Sequence, residues 1–252
     1  MNFSDKVVLI TGAARGLGEA YAVRFAERGA RLVVSDLRDC DATVAACRER
    51  GAEALGAVTD VTDLDSVTRM VETATQRFGR VDVLINNAAL FGTLTCAPFD
   101  ALSEAEWDAA MAVNVKGVWN CCRAVVPAMR DAGGGSIINI SSLAAVYGMP
   151  NGLHYTTSKA AVIGLTRGLA REVGRFDIRV NAVAPNIVET EAAGEFFGDT
   201  TQKMVDATRS QQAIRRTLSA EDLAGTVLWL ASDLSRHTTG QTLMVDGGTV
   251  FL

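Results

Sequence analysis

The sequence predicts an α/β fold: a doubly wound parallel sheet of about seven strands with helices on both faces. Short runs rich in β-branched residues alternate with longer segments that carry apolar residues at helical spacing, which is typical of strands joined by crossover helices. The short runs are apolar almost throughout, as expected for strands covered on both sides. Since 48% of the 252 residues are hydrophobic, the chain can build one large core. We therefore expect a single domain over 1–252.

The elements follow from these two patterns. The predicted strands are 7–11, 31–35, 81–86, 136–141, 178–184 and 242–245, with a further short strand just before Asp60. The predicted helices are 17–28, 64–77, 104–130, 153–175 and 220–232. Residues 189–214 are polar and helix-prone and depart from the alternation. We expect this stretch, called the lid segment below, to cover the functional site.

Composition argues against several classes of partner. The formal net charge of -5 gives no basic footprint for nucleic acid or anionic lipid. The N-terminal apolar run 7–10 is too short for a signal-peptide core or a membrane span, so a cytoplasmic protein is predicted.

Cysteine and histidine usage predicts no disulfide framework and no metal site. The five cysteines form no CxxC pair, which favours reduced thiols, and the neighbouring Cys121 and Cys122 suggest helix packing. The histidines, His154 and His237, are far apart in sequence and have no cysteine cluster nearby, so a zinc ligand set is missing.

A glycine-rich TGxxxGxG loop follows the first predicted strand and opens a helix. Its glycines let backbone amides approach a pyrophosphate, and the helix N-terminus adds partial positive charge. The loop residues expected to bind a dinucleotide are Gly12, Arg15, Gly16, Leu17 and Gly18. A glycine-rich turn also occurs for steric reasons alone, so the loop gains weight mainly from its strand-turn-helix context.

The cofactor choice depends on the end of the second strand. Asp36 lies about 20 residues past the glycines, where a carboxylate accepts hydrogen bonds from ribose hydroxyls and repels a 2′-phosphate. Asp36 could instead be an ordinary strand-end cap. Arg15 and Arg38 could attract a 2′-phosphate, which is contrary evidence. NAD is favoured over NADP.

Several further motifs occur in order along the chain: Asp60-Val61, Asn86-Asn87-Ala88-Ala89, Asn114, Asn139-Ile140-Ser141-Ser142, and a YxxSK motif from Tyr155 to Lys159. With the glycine loop, they resemble the short-chain dehydrogenase/reductase family over essentially the whole length. The resemblance implies a Rossmann fold and a homotetramer with the last strand at an interface. It also implies cofactor contacts by Asp60, Val61, Asn87, Ala88, Tyr155, Lys159, Pro185, Val188 and Thr190.

The predicted catalytic residues are Asn114, Ser142, Tyr155 and Lys159. Tyr155 and Lys159 are four residues apart on one helix, so both face the same space. The ammonium and the positive nicotinamide ring together are expected to lower the pKa of the phenol toward neutral pH. By resemblance, Ser142 holds the substrate carbonyl and Lys159 also binds the nicotinamide ribose. Asn114, by the same resemblance, stabilises a bend in its helix and anchors a water that links Lys159 to solvent.

The chain departs from the family pattern at two places. Ala89 replaces the glycine of NNAG, and Asn186 replaces the glycine that usually follows Pro185. Asparagine tolerates positive φ, so the turn at Asn186 is expected to survive in that conformation. His154, beside Tyr155, is expected to be exposed or at the substrate rim, because adjacent helix residues point in different directions.

Apolar residues are expected around the chemistry. They are Leu90, Phe91, Leu143, Val146, Tyr147, Met149, Phe196 and Phe197. They favour a hydrophobic or aromatic alcohol over a phosphorylated sugar. Any single one of them could equally pack the lid segment onto the body.

These observations predict an NAD-dependent oxidoreductase that interconverts a hydrophobic or aromatic secondary alcohol and its ketone. Two alternatives remain: an NADPH-dependent 3-ketoacyl thioester reductase, which Asp36 disfavours, and a catalytically silent NAD-binding protein. Four apolar residues near the C-terminus, Trp229, Leu230, Phe251 and Leu252, suit either a subunit interface or the core of the chain itself.

Overall fold

The computed structural model describes residues 1–251 and contains one parallel sheet. Its seven strands are β1 (Val7–Thr11), β2 (Arg31–Asp36), β3 (Ala54–Val58), β4 (Val83–Asn86), β5 (Gly135–Ile140), β6 (Ile178–Pro185) and β7 (Thr242–Val245). They are ordered β3-β2-β1-β4-β5-β6-β7, and every neighbouring pair is parallel. The order reverses direction between β1 and β4, where such sheets open a crevice for ligands.

Ten α-helices connect and cover the strands in the described part of the chain. They are α1 (Gly16–Ala26), α2 (Asp41–Glu49), α3 (Leu64–Phe78), α4 (Glu104–Met111), α5 (Val118–Asp131), α6 (Ala144–Tyr147), α7 (Leu153–Val173), α8 (Glu191–Phe197), α9 (Thr201–Gln211) and α10 (Ala220–Ala231). Two separate apolar cores cover the sheet: α1, α2 and α10 supply one, while α3, α5 and α7 supply the other. The doubly wound prediction is confirmed.

The sequence patterns missed or merged several elements. The predicted helix 104–130 is divided into α4 and α5 by a π-helical stretch, Ala112–Gly117. The lid segment contains α8 and α9. The helix α2 was not among the helices predicted from the sequence. The region 41–49 carries little apolar periodicity, which explains the omission.

The neighbouring cysteines and the apolar residues near the C-terminus differ in how far they are buried. Cys121 and Cys122 lie on α5 and are buried in the core that α5 forms with α3 and α7. Leu230 is fully buried and Trp229 packs against the core, whereas the side chain of Phe251 is 84% exposed. Leu252 lies outside the described residues. None of the helices within residues 1–251 combines the length and the apolar character that spanning a membrane requires.

Candidate active site

A cleft of about 560 Å³ opens at the carboxyl ends of the strands. Its lining brings together residues from the glycine loop, the ends of β2, β4, β5 and β6, and the helices α7 and α8. The sequence-predicted residues Gly12, Arg15, Gly16, Leu17, Asp36, Asp60, Val61, Asn87, Ala88, Ser142, Tyr155, Lys159, Pro185, Val188 and Thr190 all line it. Gly18 and Asn114 lie behind this surface.

The three loop glycines serve different purposes. A Cβ on Gly12, which has φ +65°, would come within 2.7 Å of the Cα of Ala88. A Cβ on Gly18 would collide with the carbonyl of Gly12 and lie 2.7 Å from Nδ2 of Asn87. Gly16 has φ +64°, but a Cβ there would meet nothing within 4 Å. Two glycines therefore permit close packing of the chain on itself, and the third keeps the cleft surface open.

The start of α1 suits an anionic ligand. Its N-cap, Arg15, is extended and makes no side-chain cap hydrogen bond. By contrast, α10 begins with a capping box between Ser219 and Asp222. Because the first amides of α1 are not capped by a side chain and Gly16 adds no bulk, the loop fits the pyrophosphate of a nicotinamide dinucleotide.

Asp36 faces the same end of the cleft. One carboxylate oxygen accepts a hydrogen bond from the amide of Ala14 at 3.1 Å, and the other accepts one from the amide of Arg38 at 3.1 Å. The Arg38 side chain lies 3.7 Å from this carboxylate and is exposed. The position of Asp36 fits ribose hydroxyls, which would donate to its remaining lone pairs.

Asn87 ties the end of β4 to the glycine loop. Its side-chain amide donates to the carbonyls of Thr11 and Gly12, at 3.1 and 2.8 Å. Nearby, Asp60 caps its own turn by accepting from the amide and hydroxyl of Thr62. Sequence motifs placed both residues at the cleft, and the structure adds that each one also holds a loop in shape.

Ion pairs join the lid segment to the glycine loop, and no sequence pattern indicates this contact. Nη1 of Arg15 lies 2.6 Å from Oε1 of Glu195 and 2.8 Å from Oε2 of Glu191, and Nη2 lies 2.8 Å from Oε2 of Glu195. Glu191 and Glu195 are 176 and 180 residues from Arg15 along the chain. The hydrogen bonds with Arg15 lower the pKa of Glu195.

Tyr155, Ser142 and Lys159 meet in the middle of the cleft. The hydroxyl of Ser142 lies close enough to the phenol of Tyr155 to lower its pKa, and Nζ of Lys159 lies 5.6 Å from the centre of the phenol ring. Lys159 is only 3% exposed and donates to the carbonyl of Ile140 at 2.9 Å. The predicted trio therefore shares one space, with the amine held against the end of β5.

In the chain without cofactor, burial outweighs the effect of Lys159 on the pKa of Tyr155, and the lowering expected with the nicotinamide ring bound stays a prediction. Burial of the ring raises the pKa of Tyr155 to about 12, and the nearby Ser142 hydroxyl lowers it by less. Burial also lowers the pKa of Lys159 to about 8. Spacing on a helix showed that the two groups are neighbours, but it carried no information about the loss of water around both, which dominates here.

Asn114 sits in the π-helical stretch and is fully buried. Its carbonyl oxygen accepts from the amide of Leu90 at 2.7 Å, and its amide donates to the carbonyl of Leu90 and to Oγ of Ser158, both at 3.0 Å. Asn114 thus joins the irregular helix, the loop after β4, and the helix that carries Tyr155.

The turn after β6 differs from its prediction. Asn186 does not adopt positive φ. Instead, its Oδ1 accepts from the amide of Ile187 at 2.8 Å and its Nδ2 donates to Thr249 at 2.9 Å, so side-chain hydrogen bonds hold the turn. The hydroxyl of Thr190 caps α8 by accepting from the amide of Ala193 at 3.3 Å.

Aromatic side chains cover Tyr155. The ring of Phe91 lies 4.7 Å from that of Tyr155 and is stacked on that of Phe196 at 4.6 Å between centroids. Phe196 is buried behind this layer, whereas Phe197 lines the cleft. Val146 was predicted at the rim, but it lines a different depression beside α7.

His154 is fully buried, which contradicts its predicted exposure. Neither ring nitrogen has a hydrogen-bond partner among the described residues, and burial lowers the pKa of the ring. As expected from its direction on the helix, His154 does not share the space of Tyr155. The predicted exposure is wrong because this face of α7 packs against α4 instead of facing water.

Comparisons with known proteins agree with this geometry. The family model described as Enoyl-(Acyl carrier protein) reductase matches residues 12–250. The 3-oxoacyl-(acyl-carrier-protein) reductase FabG of Thermotoga maritima is 39% identical over 99% of this chain and 100% of its own. Two crystal structures are similar to the structure of this chain. Levodione reductase has a TM-score of 0.92 and 34% identity over 98% of each chain. NAD⁺-bound xylitol dehydrogenase has a TM-score of 0.90 and 31% identity over 98% of this chain and 100% of its own. The chain belongs to the short-chain dehydrogenase/reductase family of oxidoreductases.

Proposed function

We propose that the chain is an NAD-dependent oxidoreductase that interconverts a hydrophobic or aromatic secondary alcohol and its ketone. The observation that carries the proposal is that Tyr155, Ser142 and Lys159 line the same apolar cleft, with Nζ of Lys159 5.6 Å from the centre of the phenol ring. The nicotinamide ring would supply or accept the hydride.

Three side chains take part in the transfer of the proton to or from the substrate oxygen. In ketone reduction the phenol of Tyr155 donates its proton to the carbonyl oxygen, and in alcohol oxidation the phenolate accepts one. The hydroxyl of Ser142 donates to the substrate oxygen and holds it against the phenol. The Lys159 amine favours the phenolate electrostatically once it is protonated, and it holds the nicotinamide ribose.

Four observations support NAD and an apolar substrate. Asp36 offers acceptors at the position of the adenosine ribose, and xylitol dehydrogenase, a structural neighbour, is described as NAD⁺-bound. Phe91, Phe197 and Leu143 lie on the substrate side of the cleft and carry no charge. The lid segment would exclude water from this space, since α8 packs on Phe91 through Phe196.

The test is Tyr155→Phe, assayed with aryl and alkyl secondary alcohols while reduced nicotinamide absorbance is followed. We expect kcat to fall by about 10²–10⁴-fold with NAD⁺ affinity intact. Tyr21→Phe is a matched control, because its hydroxyl is buried in the core without a hydrogen-bond partner among the described residues. Near-normal turnover by Tyr155→Phe would refute the assigned acid/base. No turnover by the unaltered chain across the panel would favour a catalytically silent NAD-binding protein.

A 3-ketoacyl thioester reductase using NADPH is the second candidate, favoured by the similarity to FabG. Asp36 argues against it, because a carboxylate at the ribose disfavours a 2′-phosphate. Acetoacetyl-CoA assayed with NADH and NADPH distinguishes the two. Efficient reduction with NADPH alone would replace the first proposal.

We also propose a homotetrameric, cytoplasmic protein. The last strand, β7, is an edge of the sheet and only half-buried, and the nearby Phe251 is exposed. Such a surface suits burial against a second copy. Light scattering after size-exclusion chromatography measures the assembly, and a monomeric mass at micromolar concentration would contradict it.

A further inference from the structure

Arg15 is held by two carboxylates from the lid segment. Both of its terminal nitrogens contact Glu195, at 2.6 and 2.8 Å, and one of them also contacts Glu191 at 2.8 Å. The contact with Glu195 has the fork geometry in which guanidinium and carboxylate bind most strongly. Two negative charges thus face one positive charge, so this cluster has a surplus of negative charge.

The cluster lies beside the expected ribose site. Asp36 accepts from the amide of Ala14, the residue just before Arg15. Arg38, the other cation at this end of the cleft, is near Asp36 itself, with Nε 3.7 Å from the carboxylate. Each of the two arginines that could bind a 2′-phosphate is therefore already paired with a carboxylate of the chain.

Glu195 is also fixed by the packing of α8. A Cβ on Gly92 would collide with Oε2 of Glu195 and lie 3.1 Å from the Cα of Ala192, so the helix lies directly on the loop after β4. On the same helix, Phe196 is stacked on Phe91 at 4.6 Å. Releasing Arg15 from Glu195 therefore disturbs the docking of α8, and opening α8 releases Arg15.

We infer that Glu191 and Glu195 are cofactor-selectivity residues, which close the lid segment over NAD by pairing with Arg15 and deny that arginine to the 2′-phosphate of NADP. The inference rests on the proposed use of a nicotinamide dinucleotide and adds a second selectivity element to Asp36. Binding of a 2′-phosphate and closure of α8 compete for the same guanidinium. NADP therefore binds with an open lid segment, and NAD binds with a closed one.

The first experiment measures NAD⁺ and NADP⁺ binding by calorimetry in the unaltered chain and in the double variant Glu191→Gln/Glu195→Gln. We expect NADP⁺ affinity to rise by about tenfold or more in the double variant, since Arg15 is freed and two negative charges are removed. NAD⁺ affinity should fall, by less than tenfold, because the double variant loses the pairing that closes the lid segment over NAD. Asp199→Asn is the control: it removes one lid charge from an exposed position that forms no ion pair with the described residues, and it should change neither affinity.

A second experiment measures how strongly each cofactor protects the lid segment from trypsin. Trypsin cleaves after Lys203 and Arg209, which are exposed in α9. At saturating NAD⁺ these sites should be protected, whereas saturating NADP⁺ should leave them cleaved at least as fast as in the chain alone. In Glu191→Gln/Glu195→Gln the two cofactors should give equal protection.

The outcomes separate this inference from the proposed function. If the unaltered chain binds neither dinucleotide, the proposed function fails and this inference with it. If NAD⁺ binds, but NADP⁺ affinity in the double variant matches that of the unaltered chain, the inference alone is overturned. Equal protection of the unaltered chain by the two cofactors would also overturn it.

Discussion

The two ends of the cleft are built differently. At the cofactor end, short-range sequence fixes the shape: Gly12 and Gly18 allow backbone contact with the loop after β4, and Asp36 follows within the same βαβ unit. At the substrate end, Tyr155 is surrounded by side chains such as Phe91 and Phe196, which come from segments far apart in sequence. One end is therefore a local motif, and the other exists only after tertiary folding.

The largest expected effect is a difference in stability between alanine variants of two glycines at the cofactor end. Gly12→Ala should lower the free energy of unfolding by about 3 kcal/mol, because positive φ and a clash with Ala88 combine. Gly16→Ala has the same φ problem but open space around its Cβ, so about 1 kcal/mol is expected, together with weaker NAD⁺ binding. Urea unfolding measures the first quantity. Equal losses for the two variants would show that close packing is not what Gly12 provides.

A smaller effect should appear at the substrate end. Phe91→Ala removes a ring that contacts Tyr155 and Phe196, so kcat/KM for aryl alcohols should fall by about tenfold. NAD⁺ affinity should not change, because the cofactor end is separate. Phe99→Ala is a suitable control, since its side chain is 73% exposed. A parallel loss of NAD⁺ affinity in Phe91→Ala would break the distinction between the two ends.

The smallest effect concerns the stability cost of the buried amine. Lys159 has an ordinary pKa of 10.5 and a folded pKa of about 8, so its charge destabilises the fold below pH 8. This cost fades as pH rises from about 8 to 10.5. Lys159→Met should therefore raise Tm at pH 7 by about 2–4 °C, with a smaller gain at pH 10.

Thermal unfolding at both pH values, with the exposed Lys203→Met as control, measures this difference. A pH-independent loss of Tm in Lys159→Met would contradict the cost assigned to the charge and would instead indicate that the bond to Ile140 dominates.

The difference between the two ends also explains what could be predicted from sequence. The strands, the glycine loop and Asp36 follow from periodicity and spacing, and the Tyr155–Lys159 pair is indicated by the YxxSK motif of the resembled family; all of these are local. Periodicity alone predicts an unbroken helix 104–130, and the bend at Asn114 was expected only from the resemblance, because hydrogen bonds with the distant Leu90 and Ser158 hold it there.

Burial and distant pairing were likewise beyond the sequence. His154 is buried because α7 packs against α4. The carboxylates that pair with Arg15 lie in the lid segment. The acidic residues of that segment are visible in the sequence, but the sequence does not indicate which cation they pair with. The pKa of Tyr155 rises because the folded chain removes water from the ring, a quantity that no motif encodes.

The most direct test of the account is the ionisation of Tyr155, followed as the phenolate absorbance difference between the unaltered chain and Tyr155→Phe. Without cofactor, no ionisation is expected below pH 10, because burial holds the pKa at about 12. In the presence of NAD⁺, we expect the same phenol to ionise below pH 8, since a positive ring is then added beside Lys159. An identical titration with and without NAD⁺ would contradict the claim that Tyr155 is the proton donor and acceptor of this site.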